Sequence, residues 1–149
     1  MLAPGHKLTG LSAGVIVWTL LAGHTPLAWL AIPAGFIGGG APDRIEWLWH
    51  HRWITHRTLT HWLPLWLALL GVGVWHDTTL WAAPLVGFAA GGLTHLLFDL
   101  PNPLGVPILS PFHRLSLRWW NSGKHDGLLT LACIGLAAAA VWMKTHRGG

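Results

Sequence analysis

Residues 78–107 read TTLWAAPLVGFAAGGLTHLLFDLPNPLGVP, and this stretch decides the fold. From Thr78 to Phe98 there is no Asp, Glu, Lys or Arg. A membrane-spanning helix needs about 20 mainly apolar residues, so the segment has the length and composition of one span. It ends on His95 and Asp99. Four residues apart on a helix, they share a face one turn apart. Pro101 and Pro103 follow at once and stop the helix. Two ligand-type side chains therefore sit at a rigid helix end.

Working outward, 52% of the 149 residues are apolar and only 9% charged, against roughly 25% charged in soluble domains. Three further stretches lack all four charged residue types: 8–42, 58–76 and 127–143. The first is too long for one helix and is broken at Gly23-His24-Thr25-Pro26, where Gly ends a helix, Thr caps the next and Pro opens it. The pattern predicts an all-α, polytopic membrane protein, a single domain over 1–149, with five short helices at about 8–22, 26–38, 62–75, 79–98 and 127–143. After Pro42 a short amphipathic turn or helix is expected at the headgroup level, carrying Trp47, Trp49 and Trp53. Trp62, Trp75, Trp81 and Trp142 read as the interfacial belt. No small-x-small site precedes a polar region, so an uncleaved N-terminus is expected. The single cysteine, Cys133, excludes an intrachain disulfide and reads as a packing residue.

Five helices put 1–7, 39–61 and 99–126 on one side. That side carries seven of the nine Lys and Arg: Lys7, Arg44, Arg52, Arg57, Arg114, Arg118 and Lys124. Lys144 and Arg147 lie opposite. The positive-inside rule makes the richer side cytoplasmic. Membrane orientation accounts for the net charge of +4 better than nucleic acid does, so no nucleic-acid partner is expected.

The remaining polar residues sort by the same topology. His6, Asp43, Glu46, His50, His51, His56, His61, His113, His125 and Asp126 fall on the basic side, with His95 and Asp99 at that end of the fourth helix. His24, His76 and His146 lie opposite and read as surface residues. Ionisable residues beside membrane helices mark functional sites, and imidazole with carboxylate suits a divalent metal such as zinc. His61, His95 and Asp43 are the leading candidate ligands, followed by Asp99 and His6. His95 and Asp99 can share one ion, bind two, or act as ligand and orienting carboxylate. His56 and Glu46 are candidate proton carriers, and Arg57 a candidate clamp for an anionic oxygen. Structural readings stand beside these: helix-end capping for His95 and Asp99, an N-cap for Asp43, and a lipid-anchored basic loop for His56-Arg57. No Gly-x-Ser-x-Gly elbow, phosphate loop or Cys-x-x-Cys pair is present.

Pro42-Asp43, His56-Arg57-x-x-Thr60-His61, and His95-x-x-x-Asp99 with Pro103, Gly105, Val106 and Pro107 resemble the motifs of the YdjM-like family of predicted inner-membrane metal-dependent hydrolases. His6 is similar to that family's N-terminal His. Asn121-Ser122-Gly123 with Asp126 matches its C-terminal Gly-plus-acid motif more loosely. The resemblance covers most of the chain and implies a bacterial inner-membrane protein with a metal site. Helices bearing His-x-x-x-Asp are also similar to those of the all-helical zinc phospholipase C group, which implies phosphoester chemistry by analogy alone.

The reading is a metal-dependent hydrolase, with zinc the leading metal. It acts at the cytoplasmic interface on a lipid or lipid-linked ester, with membrane lipids as its surroundings. Two alternatives remain open: a metal ion or proton transporter, and a non-enzymatic membrane protein with a structural metal site.

Overall fold

The computed structural model describes residues 1–146. It is mostly helical, with α1 Ala3–Leu21, α2 Ala31–Ile45, α3 Leu63–Trp75, α4 Ala82–Asp99 and α5 Asp126–His146. Short 3-10 turns at Ala28–Leu30 and Leu59–His61 lead into α2 and α3. Pro4 and Pro64 sit in the first turns of α1 and α3, where a missing N–H costs nothing. Asp126 opens α5 and Lys144 closes it, in the sense the helix dipole favours.

The helices alternate in direction. α1 runs antiparallel to α2, with Gly10 against Gly35 and Gly39, and Gly14 against Ala31. α2 and α4 run parallel, with Ala31 on Gly87 and Gly39 on Gly91. These contacts come from three Gly-x-x-x-Gly pairs: Gly10/Gly14, Gly35/Gly39 and Gly87/Gly91. A Cβ built on Gly35 would lie 2.8 Å from the Gly14 Cα, and one on Gly91 would lie 2.8 Å from the Gly39 nitrogen. Only glycine permits this backbone approach, the device by which helices associate where no hydrophobic effect separates them from lipid. α3 packs on the other flank of α4, Gly73 on Val86 and Trp66 on Gly92. α5 packs on α1, held at one end by the Leu2 N–H on the Asp126 carboxylate (2.7 Å) and at the other by Lys144 Nζ on the Ala22 carbonyl (3.0 Å).

Two helices, α4 and α5, are long and apolar enough to cross a membrane by length and composition. α4 is half buried by its neighbours, whereas α5 leaves Leu128, Leu131, Leu136 and Trp142 more than 60% exposed. At 1.5 Å per residue, the 15 residues of α2 and the 13 of α3 reach only about 22 and 20 Å.

Several expectations need correction. α1 begins at Ala3 rather than near residue 8, so His6 lies inside the helix. The second helix is displaced from 26–38 to Ala31–Ile45, and Pro42 sits in its last turns instead of ending it. Packing of α2 on α1 and α4 overrides the one hydrogen bond that Pro42 cannot donate. Asp43 is accordingly a helical residue and not an N-cap, and the region after Pro42 is no separate amphipathic helix. Two small antiparallel hairpins replace parts of the expected loops. Trp47–Leu48 pairs with His51–Arg52, and Val106–Ser110 with His113–Leu115. The proline at 107 is tolerated because its strand belongs to a two-stranded ribbon with free edges.

Candidate metal centre

The site lies where the C-terminal ends of α2 and α4 meet the N-terminal part of α1 and the 3-10 turn at 59–61. Trp66 fixes that turn. Its indole is 2% exposed, lies flat on Gly92, and donates Nε1–H to the Thr60 carbonyl at 2.8 Å. His61 is thereby held over α4, opposite His95.

His61 Nε2 and His95 Nε2 are 3.2 Å apart. Asp43 Oδ1 lies 3.4 Å from the first and 3.7 Å from the second. Asp99 Oδ2 lies 3.8 Å from His61 Nε2 and 3.5 Å from His95 Nε2. Metal–ligand bonds of about 2.0–2.1 Å in a tetrahedron place neighbouring donors roughly 3.3–3.4 Å apart. These donors are therefore spaced to share one ion. The groups His6, His95, Asp99 and Asp43, His56, His61 each bring their donor atoms within 4.8 Å of one another.

The ring orientations fit a cation as well. His95 Nδ1 is 2.8 Å from the Gly39 carbonyl oxygen. A carbonyl only accepts, so Nδ1 carries the proton and Nε2 presents its lone pair. His61 Nδ1 is 3.2 Å from Glu46 Oε1, with the same consequence. With both rings neutral, two lone pairs face each other at 3.2 Å beside two carboxylates, an arrangement that calls for a positive charge between them, either a proton on His61 Nε2 shared with Asp43 or a metal ion. The fit to a divalent metal rests on this donor set.

Glu46 is the hub behind the ligands. Fully buried, its carboxylate accepts the Arg57 backbone N–H (2.9 Å), the Thr60 hydroxyl (2.8 Å) and His56 Nδ1 (2.7 Å). Burial pushes its pKa up, but His61, the Arg57 N–H, His56 and Thr60 outweigh that and hold it at about 2. Burial likewise pushes the His61 pKa down, yet hydrogen bonds to Asp43 and Glu46 leave it raised above 6.5. Metal ligands are usually backed by such a carboxylate or carbonyl.

Asp99 is engaged further, and the Met1 ammonium lies 3.3 Å from its Oδ1. Arg57 Nη2 reaches its Oδ2 at 2.6 Å, and Asn102 Nδ2 donates to Oδ1 at 2.9 Å. His6 stacks on the His95 ring, centroids 3.7 Å apart, with its Nε2 3.4 Å from Asp99 Oδ1. Its Nδ1 is buried without a partner. Arg57 holds a left-handed backbone (φ 56°), uncommon for a residue with a side chain. Its guanidinium also donates to the Gly105 carbonyl (3.1 Å), and its Nε–H has no partner.

A cavity of about 470 Å³ opens onto this cluster, lined by Asp43, Glu46, His56, Arg57, Asp99 and Ser122 among others. Asp43 is the exposed member of the donor set, its side chain 45% accessible. The other donors are buried.

All eight candidate site residues thus meet in one place. His6, Asp43, His61, His95 and Asp99 supply the donor atoms, while Glu46, His56 and Arg57 stand behind or beside them. The histidines at 24, 76 and 146 lie at or beyond the far helix ends, and His113 is exposed on its hairpin. Asp126 docks α5 onto α1 and lies outside the donor cluster. Sequence reasoning missed Asn102 and the Gly39 carbonyl. A buried Asn in a Pro-rich turn, three residues after the acid, was the available signal for the first. Nothing local marks the second, since its role depends on the α2–α4 contact.

The profile of the family described as YdjM inner membrane protein matches residues 1–149. The inner membrane protein YdjM of Escherichia coli (strain K12) is 29% identical over 164 aligned positions, covering 96% of this chain and 83% of that protein. Its namesake in Shigella flexneri matches to the same extent. No solved structure matches.

Proposed function

The chain belongs to the YdjM family of inner membrane proteins, and on that premise we propose that it is a membrane-embedded, metal-dependent hydrolase of lipid or lipid-linked esters, phosphoesters above all. The observation that carries this reading is the pair of Nε2 atoms 3.2 Å apart, flanked by Asp43 and Asp99, both of which line the adjoining cavity. In this reading the chain is a single domain of five spans with the site facing the cytoplasm, as the seven-to-two Lys/Arg asymmetry supports.

His61, His95 and Asp43 would hold a divalent metal, zinc being the leading ion for two imidazoles and a carboxylate. When bound, a divalent ion supplies Lewis-acid polarisation of an ester oxygen and a lowered water pKa. Glu46 and the Gly39 carbonyl keep both imidazoles in the ligating tautomer. His56, 2.7 Å from Glu46 and on the cavity wall, takes and returns the proton. Arg57, on the cavity wall, is the cation that an anionic headgroup would meet there. The interfacial position leaves acyl chains in lipid while the ester enters the cavity.

One observation favours a second reading, a structural metal staple. Asp99 Oδ2 is near enough to both imidazoles to close a fourth position, and closed sites are structural. Its 2.6 Å pairing with Arg57 pulls it the other way and leaves the cavity side open. A transport path has less support: the ionisable side chains of the helices lie in their first or last turns, and the middle of each helix carries none apart from the Cys133 thiol in α5.

The test is a panel of lipid phosphoesters and carboxyl esters offered to zinc-loaded protein in detergent. Turnover should stop with chelator and be lost in His95→Ala. Absence of hydrolysis across the panel with the metal still bound would establish the staple instead.

A further inference from the structure

On the outer face of the α1–α2 pair, away from the metal cavity, lies a groove of about 520 Å³ lined by Lys7, Phe36, Ile37, Arg44, Ile45 and Phe88, with Gly40 and Ala41 as its floor. A second depression of about 340 Å³ adjoins it, formed by Ala3, Pro4 and Leu8, and shares Lys7 and Phe36 as a common ridge. Pockets of this size hold a ligand. Both are mainly apolar; Lys7 from α1 lines both, and Arg44 from α2 lines the larger.

The two cations are unaccounted for. Among the described residues neither forms an ion pair or donates a side-chain hydrogen bond. The Lys7 ammonium lies 5.7 Å over the Phe36 ring, and its stem runs across Gly40, where an added Cβ would come within 3.2 Å of Cε. Absence of a side chain at Gly40 is what lets the stem lie flat and the groove stay open. Phe36, Ile37 and Ile45 are exposed around it. The result is amphipathic: two apolar troughs share the ridge of Lys7 and Phe36, and the cations Lys7 and Arg44 both line the larger one.

We propose that this groove binds an anionic diacyl phospholipid, its phosphate between Lys7 and Arg44 and its two chains on either side of the Phe36 ridge. Charge complementarity selects the anionic headgroup, and the paired troughs select two chains. The end bearing Lys7 and Arg44 is also the basic end of the chain, so the lipid comes from the leaflet whose negative surface attracts such residues. The inference rests on membership of an inner-membrane family and on the groove; it stands whether or not the metal centre is catalytic.

The experiment uses the full chain, purified in a neutral detergent and titrated with phosphatidylglycerol or phosphatidylcholine, with retained lipid read by native mass spectrometry. Phosphatidylglycerol should be retained and phosphatidylcholine should not. Each cation near a membrane surface accounts for about a fivefold effect, so Lys7→Gln with Arg44→Gln should weaken retention by roughly 30-fold while leaving zinc content unchanged. Arg118→Gln with Lys124→Gln, which removes two charges elsewhere on the same side, should leave it intact. Gly40→Leu keeps both charges but fills the groove, and should also lose the lipid. Equal retention of phosphatidylcholine, undiminished binding in Gly40→Leu, or an equal loss in the Arg118/Lys124 pair would overturn the proposal. If the Lys7/Arg44 double variant does not fold, the Gly40→Leu result decides alone. Absence of hydrolysis by the unaltered, zinc-loaded protein with lipid retention intact would count against the catalytic reading only.

Discussion

His61 Nε2 faces His95 Nε2 at 3.2 Å, and each ring is committed at its other nitrogen, His61 to Glu46 and His95 to the Gly39 carbonyl. The first residue comes from a 3-10 turn before α3 and the second from the last turns of α4. Their meeting depends on Trp66, which ties the turn to α4 through Gly92. Site geometry and helix packing are therefore one structure, and both can be tested through it.

Metal content follows first. His61→Ala and His95→Ala should each remove most bound zinc from purified protein, measured by elemental analysis. Membrane insertion, which depends on the apolar helices, should persist. Glu46→Gln retains the shape but loses the carboxylate behind His61, and should weaken affinity by about 10–100-fold. Full metal retention in both histidine variants would defeat the site.

Protonation gives an independent check. The His61 pKa is raised above 6.5 in the folded, metal-free protein. A raised pKa means the folded state holds the proton more tightly, so this stabilisation is complete below about pH 6.5 and disappears as pH rises through the folded pKa. Zinc competes for the same nitrogen, so its affinity should rise with pH across that window. Glu46, held at about 2 instead of 4.5, acts in the opposite sense: its contribution is present above pH 4.5 and fades as pH falls towards 2. Thermal melts of metal-free protein should thus decline on the alkaline side, and added zinc should reverse the decline. A metal-free protein that gains stability through that window would contradict the assignment.

Arg57 and Asp99 form a buried pair at 2.6 Å. A fully stranded buried charge costs about 3–5 kcal/mol; without Arg57, Asp99 keeps only the Met1 ammonium at 3.3 Å as a full positive charge, so the loss approaches that range from below. Arg57→Ala should therefore lower the melting temperature sharply. The double variant Arg57→Met/Asp99→Leu should recover part of the loss, read by thermal denaturation in detergent. If the single and double variants lose the same stability, the two charges are not coupled.

Much of the site was legible in the sequence because helices impose a period. His95 and Asp99 share a face at any four-residue spacing, and the Lys/Arg count put every candidate ligand at one end before any contact was known. What escaped was set by tertiary contacts. Pro42 reads as a stop, yet it stays helical because α2 is clamped between α1 and α4. The hairpin at Val106–Ser110 and His113–Leu115 carries two prolines in or beside its strands, which reads as loop. Arg57 was legible as a cation beside the site, but its partner Asp99 lies far away in sequence. The Gly-x-x-x-Gly pairs were visible as spacings, though their meaning required knowing which helices touch.

Those glycines supply the last prediction. A Cβ on Gly39 would press on the His6 carbonyl and lie 3.1 Å from the Gly10 Cα. Backbone cannot move aside as a side chain can, so Gly39→Ala must part α1 from α2. Overpacking of this kind costs about 1–3 kcal/mol. The site should suffer beyond that stability loss, because the Gly39 carbonyl sets the His95 tautomer and α1 carries the His6 ring stacked on His95. Gly39→Ala should therefore weaken zinc binding even at temperatures where the protein remains folded. Gly71→Ala is the matched control, since an added Cβ there meets nothing within 4 Å, and it should be neutral or slightly stabilising in a helix. Zinc titrations and melts of the two variants side by side read both effects. Wild-type zinc affinity in Gly39→Ala would show that helix contact and metal geometry are not coupled through this residue.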